Sequence, residues 1–336
     1  MVRWRSSRWL LLVLFVLTAG ACSRPPHDVI VTEDPAPKTA TPPPKAFLAT
    51  IKAWGDLDFS FLAYDVFGPG RIALGGPAAG GRVTVLTAEF RDGELQAASE
   101  VSEPMGALRD VTRGDMLNMG EPQAVVTTEK GVLVLLGTEK YIKVEQPDVE
   151  KVFVGDWDGD GRSETAYFHG KEGALKTSVF RYTPDGSREA VGQFAAPDFP
   201  NWAAVRDGRP GERAVLMGAE SGEETLQITF YHLDFAAGLQ PAARYPLHRS
   251  SEEPEVSYAA GELGGRPTLA ISHMAEQSYV DLFDTAAEGM PFRGRVPLPG
   301  DKPYVVLIGA FTGEAGELLA ITPQGEWVLY DAGAAH

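Results

Sequence analysis

The chain has 336 residues but only one cysteine, Cys22, and six histidines. A single thiol excludes an intramolecular disulfide framework. His27, His169, His232, His248, His273 and His336 form neither a His-x-x-x-His pair nor any other zinc-binding spacing, so structural or exposed roles account for them. Basic residues are also scarce: 30 Lys and Arg stand against 46 Asp and Glu, a net charge of -16. Arg3, Arg5 and Arg8 sit in an N-terminal stretch without an acid, so the remainder is more acidic still. Such a body repels phosphate backbones, which excludes nucleic acid as a partner. Its acidity serves solubility and would also recruit cations or a basic partner. The apolar run at residues 9–17 is too short for an ordinary membrane span.

Recognisable catalytic patterns are missing as well. In Gly218-Ala219-Glu220-Ser221-Gly222 the serine is displaced from the middle position that a nucleophile elbow requires. Gly68-Pro69-Gly70 and Gly75-Gly76 lack the strand–turn–helix setting of a nucleotide loop. Carboxylates are abundant, but spacing alone pairs no two of them as acid and base. Trp54, Trp202 and Trp327 lie on or beside strand-like segments, where core packing is the expected role. The expectation is a protein that is not an enzyme.

What is present is turn chemistry and short apolar runs. Gly 37 and Pro 25 mark many turns, and 44% apolar residues suffice for a sizeable core. Valine, leucine, phenylalanine and tyrosine recur in short stretches, which favours many short strands over long helices.

The first residues look like an address. A basic head (1–8) and the apolar run (9–17) precede Thr18-Ala19-Gly20-Ala21-Cys22. That order describes a secretory signal. The segment ending at Cys22 resembles the lipobox of bacterial lipoproteins, with Ala19 where that family most often has leucine. The resemblance implies cleavage before Cys22 and acylation of its sulfur, leaving no thiol for catalysis. Ser23 follows instead of aspartate, which under the enterobacterial sorting rule implies the outer membrane. Residues 22–46 are rich in proline, which withholds backbone donors, and poor in apolar area to offset ordering entropy. They are expected to form a disordered, semi-rigid tether. At about 3.1 Å per residue it would hold the body up to roughly 70 Å from the bilayer.

From residue 47 one theme recurs: an apolar strand, a Gly/Asp turn, a second strand, a Gly turn and a third strand. Its anchors are Asp65, Asp115, Asp156, Asp207, Glu262 and Ala310, spaced 50, 41, 51, 55 and 48 apart. A period of 40 to 55 with three or four strands per unit predicts an all-β propeller of six blades, with seven as the alternative. Too few residues follow Tyr330 for a fourth strand in the last unit. The segment 47–54 is therefore expected to supply it and close the ring, leaving no long edge. The domains expected are 1–21 signal, 22–46 tether and 47–336 propeller.

The third unit carries the sharpest motif, Asp156-Trp157-Asp158-Gly159-Asp160-Gly161-Arg162-Ser163-Glu164. Strand-like flanks and carboxylates at relative positions 1, 3, 5 and 9 make it similar to the calcium loop of FG-GAP/VCBS-type propeller repeats. An EF-hand would need glutamate at position 12, where Tyr167 stands. The resemblance covers residues 47–331 as architecture and 156–164 as a full site. It implies one structural Ca²⁺ held by Asp156, Asp158, Asp160, the Arg162 carbonyl and Glu164, with Gly161 permitting the turn. The other units have lost the ligand set: after Asp115 the matching positions are Leu117, Met119, Glu121 and Gln123.

Together these features point to a lipid-anchored envelope propeller that binds or scaffolds, attached to the membrane by its lipid, with an envelope protein or glycan as partner. The alternatives are a polysaccharide hydrolase or lyase, and a surface adhesin.

Overall fold

Ala124-Val125-Val126 and Val132-Leu133-Val134-Leu135-Leu136 are continuous apolar runs, without the polar alternation of a half-buried strand. A strand of that kind must be covered on both faces. The computed structural model shows how. Ala124, Val126, Leu133 and Leu135 pack one way, against Phe67, Ala73, Val83 and Val85. Val125, Val132 and Val134 pack the other way, against Val152, Val154 and Tyr167. The sheet that carries these strands is one wedge between two others.

The structure describes residues 49–50, 63–78, 80–137, 140–169, 176–195, 202–206, 213–221, 225–248, 255–286, 290–312, 316–322 and 326–331. The chain divides into Met1–Pro37 and Lys38–His336. The expected signal, Cys22 and the tether lie outside the described residues, as do Trp54 and the anchor Asp207.

Within Lys38–His336 the strands form six four-stranded antiparallel sheets, the blades of a β-propeller. Blades one to five occupy residues 63–103, 108–145, 149–195, 202–248 and 255–297 in simple meander order. Blade six takes three strands from residues 305–331 and its fourth from Ala49–Thr50. Ala49 lies opposite Trp327 and Thr50 opposite Glu326. The expected ring closure is thus present at these two residues; the rest of 47–54 lies outside the described residues.

The core is divided among the seams between blades. Six apolar clusters each draw on two neighbouring blades, and the one joining blades six and one includes Val66, Leu74, Leu307, Phe311 and Trp327. In blade two, burial is greatest in the second and third strands and is lost at the rim. In blade two the second strand, Gln123–Thr128, is wholly buried, while the outermost, Lys140–Glu145, has no fully buried residue.

Neighbouring blades approach closely at the ends of the innermost strands. A Cβ on Gly155 would lie 2.6 Å from Ala214 Cβ of blade four, and one on Gly309 would lie 3.1 Å from Val66 Cγ1 of blade one. Gly155 and Gly309 are therefore contact points between blades, and the adjoining turns begin one residue later.

Two anchors fall elsewhere than the sequence spacing placed them. Asp65 lies inside the first strand of blade one, Ala63–Gly68, and accepts a hydrogen bond from the Val66 N–H at 2.7 Å. The turn there is only Pro69-Gly70, too short for an acidic loop. Glu262 likewise lies within the strand Glu255–Leu263.

Candidate metal centre

The inner strand of blade three ends at Gly155, and the next begins at Glu164. Eight residues must turn between them, which leaves a row of N–H groups without ladder partners. The aspartates supply the acceptors, as short carboxylates do in turns. Asp156 takes the Gly159 N–H on Oδ1 at 2.7 Å and the Gly161 N–H on Oδ2 at 2.8 Å. Asp158 takes the Asp160 N–H at 3.0 Å, and Asp160 takes the Arg162 N–H at 2.9 Å. Gly159 and Gly161 have φ of 82° and 87°, backbone angles that glycine adopts without a steric cost.

Glu164 is fully buried and closes the turn from behind. Its Oε2 accepts the Trp157 N–H at 3.1 Å, while the Trp157 indole donates to the Glu164 carbonyl at 3.1 Å. Burial pushes the Glu164 carboxyl up to about 7, against the pull of the Arg181 and Trp157 hydrogen bonds. The indole sits in the seam with blade four, among Phe153, Phe168, Ala214 and Leu216.

Arg181 lies directly across the sheet from Glu164. Its Nε donates to Glu164 Oε1 at 2.9 Å, and its Nη2 makes a second, shorter bond to the same oxygen. Nη2 also lies 3.3 Å from Asp158 Oδ2 and 3.1 Å from Asp160 Oδ2. One guanidinium thus engages three of the four loop carboxylates. Arg162, whose side chain is exposed, pairs with Asp160 at 2.9 Å, and this bond is the main reason the Asp160 carboxyl is held below its usual range.

The donor set suits a hard cation in part. Asp156, Asp158 and Glu164 each offer an oxygen, all within 4.8 Å of one another. Ca²⁺ binds oxygens at about 2.3–2.6 Å, so one ion can span such a triangle. The Asp160 carboxylate is not part of this triangle and faces Arg162 and Arg181. The fifth expected ligand, the Arg162 carbonyl, belongs to the same turn.

Blade two reaches into this loop. Asn118, at φ 53°, accepts the Ser163 N–H on Oδ1 at 2.7 Å. Its Nδ2 donates to the Ser163 carbonyl at 3.0 Å and to the Tyr182 carbonyl at 2.9 Å. Beside this clasp is a pocket of about 400 Å³, lined among others by Asn118, Arg162, Arg181, Ser187 and Arg188. In a four-stranded meander the first and third turns lie at the same end, which places the acidic loop and residues 183–187 on one face of the ring.

The same frame recurs without the acidic cluster. In blade two, Asp115 accepts the Met119 and Gly120 N–H groups at 2.7 Å each, and buried Gln123 accepts the Leu117 N–H at 3.1 Å. In blade six, buried Glu317 accepts the Phe311 N–H at 2.6 Å and the Thr312 N–H at 2.7 Å. An apolar plug follows the inner strand, and a buried Glu or Gln at the start of the second strand caps its backbone. Asp158, Asp160 and Arg181 are what blade three adds. Sequence spacing located the aspartates and Glu164 but missed Arg181 and Asn118.

No protein-family profile and no curated protein matches the chain. Solved structures do resemble it. BBS1N, in complex with ARL6DN and soaked with lead, superposes with a TM-score of 0.54 at 13% identity, over 89% of this chain and 99% of that one. A triple arginine-to-alanine mutant of AofleA from Arthrobotrys oligospora gives 0.51 at 10% identity, over 85% of both. At such identities the likeness is one of fold.

Proposed function

We propose that the protein is a lipid-anchored propeller of the bacterial cell envelope, outer-membrane in location, that acts as a non-enzymatic binding or scaffold module. In this reading residues 156–164 form a structural calcium loop of the FG-GAP/VCBS type, in which Asp156, Asp158 and Glu164 would hold the ion and stiffen the blade-three turn. The observation that carries the binding role is the ring itself. Its seams are filled by apolar side chains, and blades two and three gather Asn118, Arg162 and Arg188 around an open pocket at one face. BBS1N, which shares the fold, is itself bound to a protein, ARL6DN. A protein partner is proposed here by the same use of the fold.

Labelling of the full chain with radioactive palmitate, followed by crosslinking in the membrane and affinity capture, tests both halves. The expected result is label that disappears in Cys22→Ala, together with a reproducible, stoichiometric envelope protein. Unlabelled parent protein would refute the anchor. Turnover of envelope glycan by the purified protein would refute the non-enzymatic role.

A further inference from the structure

The acidic turn of blade three is provided with a cation by its own chain. Arg181 contacts Asp158, Asp160 and Glu164 at once, and two of these three belong to the triangle of carboxylates that fits a divalent ion. The counterpart positions in blades two and six show that this is not a general requirement of the fold. In blade two the cap is the neutral Gln123; Ala124 pairs with Leu135, so the residue across from Gln123 is Leu136. In blade six Glu317 lies opposite Asp331, with no guanidinium across the ladder. Only in blade three, among these, does a buried carboxylate cap stand beside further aspartates, and there the facing residue is arginine.

A guanidinium and a divalent ion would compete for the same carboxylates. A guanidinium donating to Glu164 and Asp158 takes up part of the lone-pair capacity that a metal would draw on, and its positive charge repels a divalent ion at close range. A fixed guanidinium already neutralises much of the like-charge repulsion among the acids. Arg181 also has somewhere to go, because it lines the adjacent pocket of about 400 Å³ on the same face.

We infer that Arg181 is the resident counter-cation of this turn and sets its calcium affinity: calcium takes Asp156, Asp158 and Glu164 only as the guanidinium leaves them. The inference rests on the calcium reading proposed above and adds a residue outside the nine-residue motif. The parent protein then binds calcium weakly, in the range of about 0.1–1 mM known for extracellular modules. Arg181→Gln, which keeps a polar side chain of similar reach without the charge, binds it at least tenfold more tightly. Arg181→Lys, which keeps the charge but not the fork, falls between the two.

The test is a titration of the full chain in detergent with Ca²⁺, read by thermal melting, and with Tb³⁺, read by emission sensitised through Trp157. A gain of tenfold or more in Arg181→Gln supports the inference, and so does a variant that folds only when calcium is added. Equal affinities in parent and Arg181→Gln would overturn the role of Arg181 while leaving the calcium site standing. Binding by neither would overturn both. An Arg181→Gln chain that stays unfolded at every calcium concentration, together with an Arg181→Lys chain that folds with parental affinity, would show Arg181 to be a strut only and would also overturn it.

Discussion

Glu164→Ala is expected to destabilise the chain by about 3–5 kcal/mol, the cost of breaking a buried ion pair from one side. The carboxylate is fully buried, caps the Trp157 N–H and receives two bonds from Arg181. Alanine leaves the N–H without an acceptor and Arg181 without its main partner. Glu164→Gln should be far milder, about 1–2 kcal/mol, because an amide oxygen still caps the backbone. Blade two supplies the precedent, since Gln123 performs that same capping of Leu117 at 3.1 Å. Urea unfolding of the two variants checks the difference. Equal losses would mean that charge, and not capping, is what the frame needs at this position.

Trp157→Ala should cost about as much, roughly 3–5 kcal/mol, the usual range for removing a buried large aromatic. The indole is buried in the seam between blades three and four and is tied to the Glu164 carbonyl at 3.1 Å. Its loss opens a cavity between the two sheets, which Gly155 beside it has no side chain to fill. Trp157→Phe should lose only about 1 kcal/mol, mostly the indole hydrogen bond. Phe311 plugs the corresponding place in blade six, with its own N–H capped by Glu317. Thermal or urea melts of both variants provide the check. A Phe variant as weak as the Ala variant would contradict the equivalence of the two plugs.

These paired substitutions show where the sequence was legible. Short apolar runs separated by glycine turns repeat at a spacing that only a few architectures use, so blade number and ring closure followed from the order of strand-like segments. The placement of Ala49 against Trp327 is the clearest instance, because a segment ahead of the first unit completes the last sheet. Turn details were less accessible. Asp65 has the right residue type near the right period, but the two-residue turn after Gly68 leaves it inside a strand. Gln123 stands eight residues after Asp115, as Glu164 does after Asp156. Taken as a metal ligand, a neutral amide there signals loss; as a backbone cap it is equivalent to glutamate. Glu317 is displaced by one residue relative to its anchor, which hides the same role.

The residues that complete the blade-three turn were hidden for a different reason. Arg181 follows Glu164 by 17 residues and meets it only because the two strands pair in one particular register. Asn118 belongs to the preceding blade and is 45 residues from Ser163. Local motifs record residues that are close along the chain. A propeller turn is finished by the next strand of its own sheet and by the neighbouring blade, and neither leaves a short-range signature.

In the proposed function, one turn of a repeating frame doubles as a cation site. Thermal melting of the full chain in EDTA and in excess calcium tests it most directly. A saturable, EDTA-reversible rise in Tm is expected for the parent protein and none for the double variant Asp156→Ala, Asp158→Ala. Identical melts of the parent protein in EDTA and in calcium would contradict it.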